Sequence, residues 1–224
     1  MSALTNKVAL VVGADDIGCG IAKRFARAGA AVSIADAIDS EAVVACDVVV
    51  VNVLGPPAVA PLASQDDAAF TAALQRVAFA AALMRAAAPG MRDRGGGRII
   101  LIGHRYGESV SEGIGPYNTA SFALIGLMRT AAVEWGRWGV TTNLLLPFAD
   151  TAELRAARAT RPKIIDLFVG QTALQRAGDP VEDIGGAALF LASEDAAFVN
   201  GQVVYADGGQ HIAAPVLNPA KFAR

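Results

Sequence analysis

The sequence holds two His and three Tyr, among which His104 and Tyr117 are the candidates for moving a proton near neutral pH. An imidazole titrates at about 6.5 and a phenol at about 10, so together they could run an elimination or isomerisation without a cofactor. Pro116 sets a first helical turn, and Ser121, four residues after Tyr117, shares its helix face. Ser121 brings neither charge nor reach, and an unassisted Tyr leaves on the order of one molecule in a thousand ionised at pH 7. Each residue also has a plainer role: His104 fills a loop, and Tyr117 packs beside the proline. Cys19 and Cys46 have no metal spacing and read as reduced structural thiols, so no metal is expected.

A second constellation could hold phosphate. Gly13-Ala14-Asp15-Asp16-Ile17-Gly18 joins an apolar run to a helical stretch, the place where glycines let a diphosphate approach helix N–H groups. Asp15 and Asp16 suit the positive end of a helix as capping residues, yet their charges repel a phosphate. Asp36 ends the next apolar run, where it could hold a ribose or make an ordinary turn. Thr151 could contact a ligand or cap a helix.

The elements that must position these residues alternate. Strands are expected at Val8–Val12, Ala31–Ala35, Val48–Leu54, Arg98–Ile102, Thr141–Leu146 and Gln202–Tyr205. Helices are expected at Ile17–Ala28, 66–88 (stopping near Pro89 and Gly90), Pro116–Trp135 and Val181–Leu191. A loop is expected from Pro147 and a tail after Gly209. Buried strands alternating with helices imply one domain over 1–224, with a Rossmann-like, doubly wound parallel sheet covered on both faces. Only 11 residues lie between Asp36 and Val48, and a helical crossover alone needs about 10–12.

The 224 residues are 54% hydrophobic and 18% charged, with a net charge of −2. That composition leaves no electrostatic footprint for nucleic acid or an anionic membrane. No apolar run approaches the ~20 residues of a membrane span, and none reads as a secretory leader, so a cytoplasmic protein is expected. Abundant Ala and few aromatics favour close helix packing over a wide ligand cavity.

Three segments carry a family resemblance. "TASFALIGLMRT" (119–130) after Tyr117, "GVTTNLLLP" (139–147) and "LQRAGDPVEDIGGAALFLASEDAAFVNGQVVYADGG" (174–209) resemble the short-chain dehydrogenase/reductase family, over roughly Lys7 to Gly209. The resemblance implies an NAD(P)-binding sheet and a Ser–Tyr–Lys–Asn catalytic set. Against that pattern Tyr117 is kept. His104 stands at the Ser position, Ser121 at the Lys position and Arg76 at the Asn position. The family's G-x3-G-x-G turn is one residue short, leaving Gly13 and Gly18. Asp36 matches the ribose-binding residue of NAD-preferring members. Asn52 partly matches the Asn-Asn-Ala-Gly turn, Thr151 the nicotinamide-contacting Thr, and the Gly that follows Pro147 in relatives is absent. The usual third, edge strand and its helix do not fit between Asp36 and Val48.

These departures lead to an expectation of a chain that neither catalyses nor binds NAD itself. In that reading it is a subunit assembling, as a heterotetramer, with an intact paralogue that carries NAD. The expected contacts are helices 66–88 and 116–135 and the C-terminal region, which the resemblance marks as association surfaces. The alternatives are a cofactor-free lyase or isomerase using His104 and Tyr117, and a homo-oligomeric binding protein.

Overall fold

A computed structural model describes residues 3–36, 43–55, 59–104, 110 and 112–213. Six strands form one parallel sheet: β1 (Val8–Val12), β2 (Ala31–Ala35), β3 (Val48–Val51), β4 (Gly97–Ile102), β5 (Val140–Pro147) and β6 (Val203–Ala206), in the order β2-β1-β3-β4-β5-β6. Side chains alternate across it with the two-residue period of a strand. Leu10, Val12, Val49, Val51, Ile99 and Leu101 enter one core. Ala9, Val11, Val48, Val50, Ile100 and Ile102 enter the other. Both faces are apolar, so both must be covered.

Helix α1 (Asp16–Arg27) and a later pair of turns cover the second core, burying Ile21 and Phe25. Helices α2 (Asp67–Asp93) and α3 (Gly115–Trp135) cover the first, with Leu83, Met84, Leu124 and Met128 innermost. The turn Pro180–Ile184 runs into α6 (Gly185–Ala192) after α4 (Ala152–Thr160) and α5 (Pro162–Gly170).

Four expectations need correction. The helix expected to stop near Pro89 runs on to Asp93, because Gly90 and Met91 are buried and a proline exposed on the outer side costs less than losing them. The loop expected from Pro147 contains α4 and α5, two nine-residue helices that lie at the surface without a fully buried residue. The strand expected to reach Leu54 ends at Val51, where Asn52 turns the chain. The helix expected over Val181–Leu191 is split: a wide π-type turn over Pro180–Ile184 precedes α6.

Among the described residues β2 is the sheet edge, with no strand outside it. Of the segment between β2 and β3, Val43 and Val44 are helical, and 37–42 lie outside the described residues.

The turn before α6 is held by charge. Asp183 accepts from both Arg176 guanidinium nitrogens, at 2.5 and 2.8 Å, and from the Asp179 N–H at 2.6 Å. The Arg176 hydrogen bonds hold its carboxyl down at about 2. A depressed carboxylate contributes stability that is present above its unfolded pKa and lost as pH falls through the folded one. The window therefore runs from about pH 4 down to 2. Its side chain is 35% exposed, so solvent screening limits the contribution to on the order of 1 kcal/mol. Asp183→Asn should melt lower than the parent protein at pH 7, and calorimetry between pH 4 and 2 should show the two converging.

Candidate functional site

The loops after β1, β3 and β4 bring most of the singled-out residues to the carboxyl end of the sheet, where open α/β sheets hold ligands. Gly13 has φ +103°, and a Cβ there would enter the Asn52 carbonyl. Gly18 lies so close over Gly13 that its own Cβ would overlap the Gly13 carbonyl oxygen. Backbone packing therefore needs both glycines.

Two N–H groups of this turn, those of Ala14 and Gly18, are engaged by the chain's own carboxylates. Asp15 caps α1, taking the Gly18 N–H at 2.8 Å and the Asn52 side-chain amide at 2.7 Å on one oxygen. Asp36 takes the Ala14 N–H at 3.3 Å. Asp16 accepts from the Ala152 N–H at the start of α4 and pairs with Arg155 at 3.4 Å. A dinucleotide diphosphate approaching these N–H groups would meet carboxylate oxygens. Thr151 is the N-cap of α4, accepting from Leu154 N–H at 3.2 Å.

His104 and Tyr117 are brought together, ring edge to ring face, with centroids 6.1 Å apart and planes at 83°. The space beside them, lined by Gly103, Ser121, Leu124, Leu144 and Leu146, is too tight to admit a water molecule. That space offers a substrate no room on the side of Ser121. Burial pushes the Tyr117 phenol above its ordinary value, against a lowering by Arg76 and with a smaller rise from Glu153. The shift is opposite in sign to what proton transfer from this Tyr needs. Ser121 is buried, and its hydroxyl finds no partner among the described residues. An unsatisfied buried hydroxyl costs about 1–3 kcal/mol, so Ser121→Ala should raise stability by about 1 kcal/mol, readable in a urea titration.

Arg76 stands apart from Ser121, donating to the Leu54 carbonyl. It lines an open cleft of about 500 Å³ together with Gly13, Asp36, Asn52, Val53 and Phe79. The expectation of close packing without a wide cavity is thus corrected. The sheet sets the cleft's floor, and α2 covers it only partly because Ala72 and its neighbours are small. Sequence reading missed the Asp16–Ala152 and Asp36–Ala14 bonds. The signal available for them was two adjacent acids in a turn that ordinarily receives anions.

No group of three or more His, Cys, Asp or Glu side chains capable of holding a metal occurs among the described residues. No described helix is long and apolar enough to cross a membrane.

A parallel, doubly wound sheet with its glycine turn at the first strand–helix junction defines the class of nucleotide-binding α/β proteins. A family model described as enoyl-(acyl carrier protein) reductase matches residues 40–211. The dehydrogenase/reductase SDR family member 4 of Pongo abelii is 30% identical over 246 aligned positions, covering 92% of this chain and 88% of that protein. Acetoacetyl-CoA reductase of Rhizobium meliloti is 35% identical over 125 residues, 55% of this chain and 51% of the reductase. Gluconate 5-dehydrogenase from Burkholderia cenocepacia, solved with NADP and tartrate, superposes with a TM-score of 0.81 at 27% identity, over 94% of this chain and 97% of that one. The chain belongs to the short-chain dehydrogenase/reductase family of oxidoreductases.

Proposed function

We infer that this chain is a non-catalytic member of its family, a pseudoenzyme subunit that assembles with and supports an intact NAD-dependent alcohol dehydrogenase paralogue. The observation that carries this reading is the glycine turn, where Asp36 takes the Ala14 N–H, Asp15 takes the Gly18 N–H, and the Asp16 carboxylate stands beside them against Ala152. A diphosphate seated at this turn would compete for two of its N–H groups and meet three carboxylates, which fits nicotinamide nucleotide poorly. Catalysis is opposed separately: Tyr117 has no lysine beside it, and its phenol is held in the neutral form.

Assembly has support of its own. Among the described residues α2 and α3 leave Leu74, Phe122 and Val133 facing outward. The C-terminal region adds exposed Leu174, Phe198 and Ile212. Large apolar side chains on the outer faces of packed helices favour burial against another subunit. In this reading the assembly is a heterotetramer, with NAD carried by the partner.

The substrate of such an assembly is a hydroxyacyl-CoA, a class consistent with the acetoacetyl-CoA reductase among the relatives. We propose a resemblance to the inactive subunit of the heterotetrameric dehydrogenase acting on 2-[hydroxy(phenyl)methyl]-succinyl-CoA in anaerobic toluene degradation.

Native mass spectrometry of the complex purified from its own source, without added cofactor, tests the reading. A mixed assembly with a second short-chain dehydrogenase carrying NAD is the expected result. A pure homo-oligomer, or NAD retained by this chain alone, would overturn it.

A further inference from the structure

We propose that the cleft between α2 and the ends of β1, β2 and β3 binds a linear dipolar small molecule, its ammonium at Asp36 and its carboxylate at Arg76. The inference rests on the reading above, in which no nicotinamide nucleotide occupies the turn.

The cleft holds one acid and one base on different parts of its wall. Asp36 spends one carboxylate oxygen on the Ala14 N–H, and Arg76 spends one guanidinium nitrogen on the Leu54 carbonyl. Among the described residues neither joins an ion pair, although eleven such pairs form elsewhere in the molecule. Their remaining hydrogen-bonding positions are therefore available to a ligand.

Asp36 follows β2, Arg76 reaches the Leu54 carbonyl beyond the end of β3, and β1 lies between those strands. The two side chains line one cleft without pairing to each other, so one molecule with opposite charges at its ends can bridge them. Val12, Val53 and Phe79 line the middle, so the connecting chain meets apolar surface. A volume of about 500 Å³ is that of small-molecule sites, which run from about 300 to 1,000 Å³. A phosphorylated ligand is disfavoured, because Asp15 and Asp16 stand at the adjacent turn.

The test is isothermal titration calorimetry of the full chain with 5-aminopentanoate, against pentanoate and pentylamine at matched ionic strength. Saturable binding of 5-aminopentanoate is expected, with each singly charged analogue about two- to fivefold weaker. Asp36→Asn and Arg76→Gln should each lose about two- to fivefold, and Arg76→Lys should keep most of the affinity. Both positions are exposed, so the three substitutions leave the core intact. Equal binding of the three probes, or binding unchanged by Asp36→Asn and Arg76→Gln, would overturn the proposal. So would the absence of saturable heat with 5-aminopentanoate. A parallel titration with NAD⁺ separates the two readings. Saturation by NAD⁺ would overturn the unoccupied turn and this proposal together, whereas silence toward both ligands would overturn this proposal alone.

Discussion

Replacing Ser121 by Lys and His104 by Ser, which rebuilds the family's catalytic set around Tyr117, should yield a less stable protein that still does not reduce NAD⁺. The lysine would enter a space lined by Leu124, Ile125, Leu144 and Leu146 that does not admit even a water molecule. It must displace packed side chains and lose hydration at once. Overpacking costs about 1–3 kcal/mol, and a fully buried amine gives up several pKa units of charge stabilisation. A loss of about 4 kcal/mol in all corresponds to roughly 10 °C in melting temperature for a chain of this length. The activity half of the prediction has a different origin. In the proposed reading a restored Lys would have no nucleotide to act on, because the Asp15 and Asp16 carboxylates stand at the turn. Differential scanning calorimetry reads the first effect, and NAD⁺ fluorescence titration the second. A double variant as stable as the parent would mean that the packing around Ser121 is looser than described here. One that bound NAD⁺ would show that the carboxylates give way.

Gly18→Ala is the second large effect expected, and it concerns stability with no cofactor present. A methyl group at 18 would overlap the Gly13 carbonyl oxygen, an atom of the main chain that cannot rotate away. Relief requires α1 to lift from the end of β1, which disturbs the packing of Ile21 and Phe25, both fully buried. The cost should be about 3 kcal/mol, at the upper end for overpacking and equivalent to roughly 6–9 °C. If glycine were kept there only for a nucleotide, the apo protein would tolerate alanine. Chemical denaturation of the two proteins without nucleotide decides between these accounts.

The sheet was legible in the sequence because it is buried on both faces. Runs such as Val48–Val51 need no partner to be recognised, and their alternation with helices implies the parallel pairing. Helices α4 and α5 are nine residues each and meet at Arg161 and Pro162, so each offers barely two turns of period, too few to separate helix from loop. Pro89 misled for the opposite reason: local propensity argued for a stop, while burial of Gly90 and Met91 carried the helix on.

Tyr117 and Ser121 share a helix face by their spacing alone, whereas the placement of His104 beside Tyr117 followed from the family resemblance. The cleft could be read from neither, because it depends on how far α2 stands from the strand ends, which small residues such as Ala72 determine only in three dimensions. Asp16 illustrates the same limit. Its sequence context shows a helix start, but its partners Ala152 and Arg155 arrive from more than a hundred residues away.

The bonds from Asp16 to Ala152 and Arg155 join the first glycine turn to α4, two parts of the fold that a bound nucleotide would otherwise bridge. A joint made of the chain's own atoms does not titrate with metabolite concentration. By linkage, a site that takes up no ligand cannot make any other affinity of the molecule depend on that ligand. Within a mixed assembly the surface offered to a neighbouring subunit would stay constant as nucleotide levels rise and fall. The neighbour's own occupancy would then be the sole channel through which redox state alters the strength of the association.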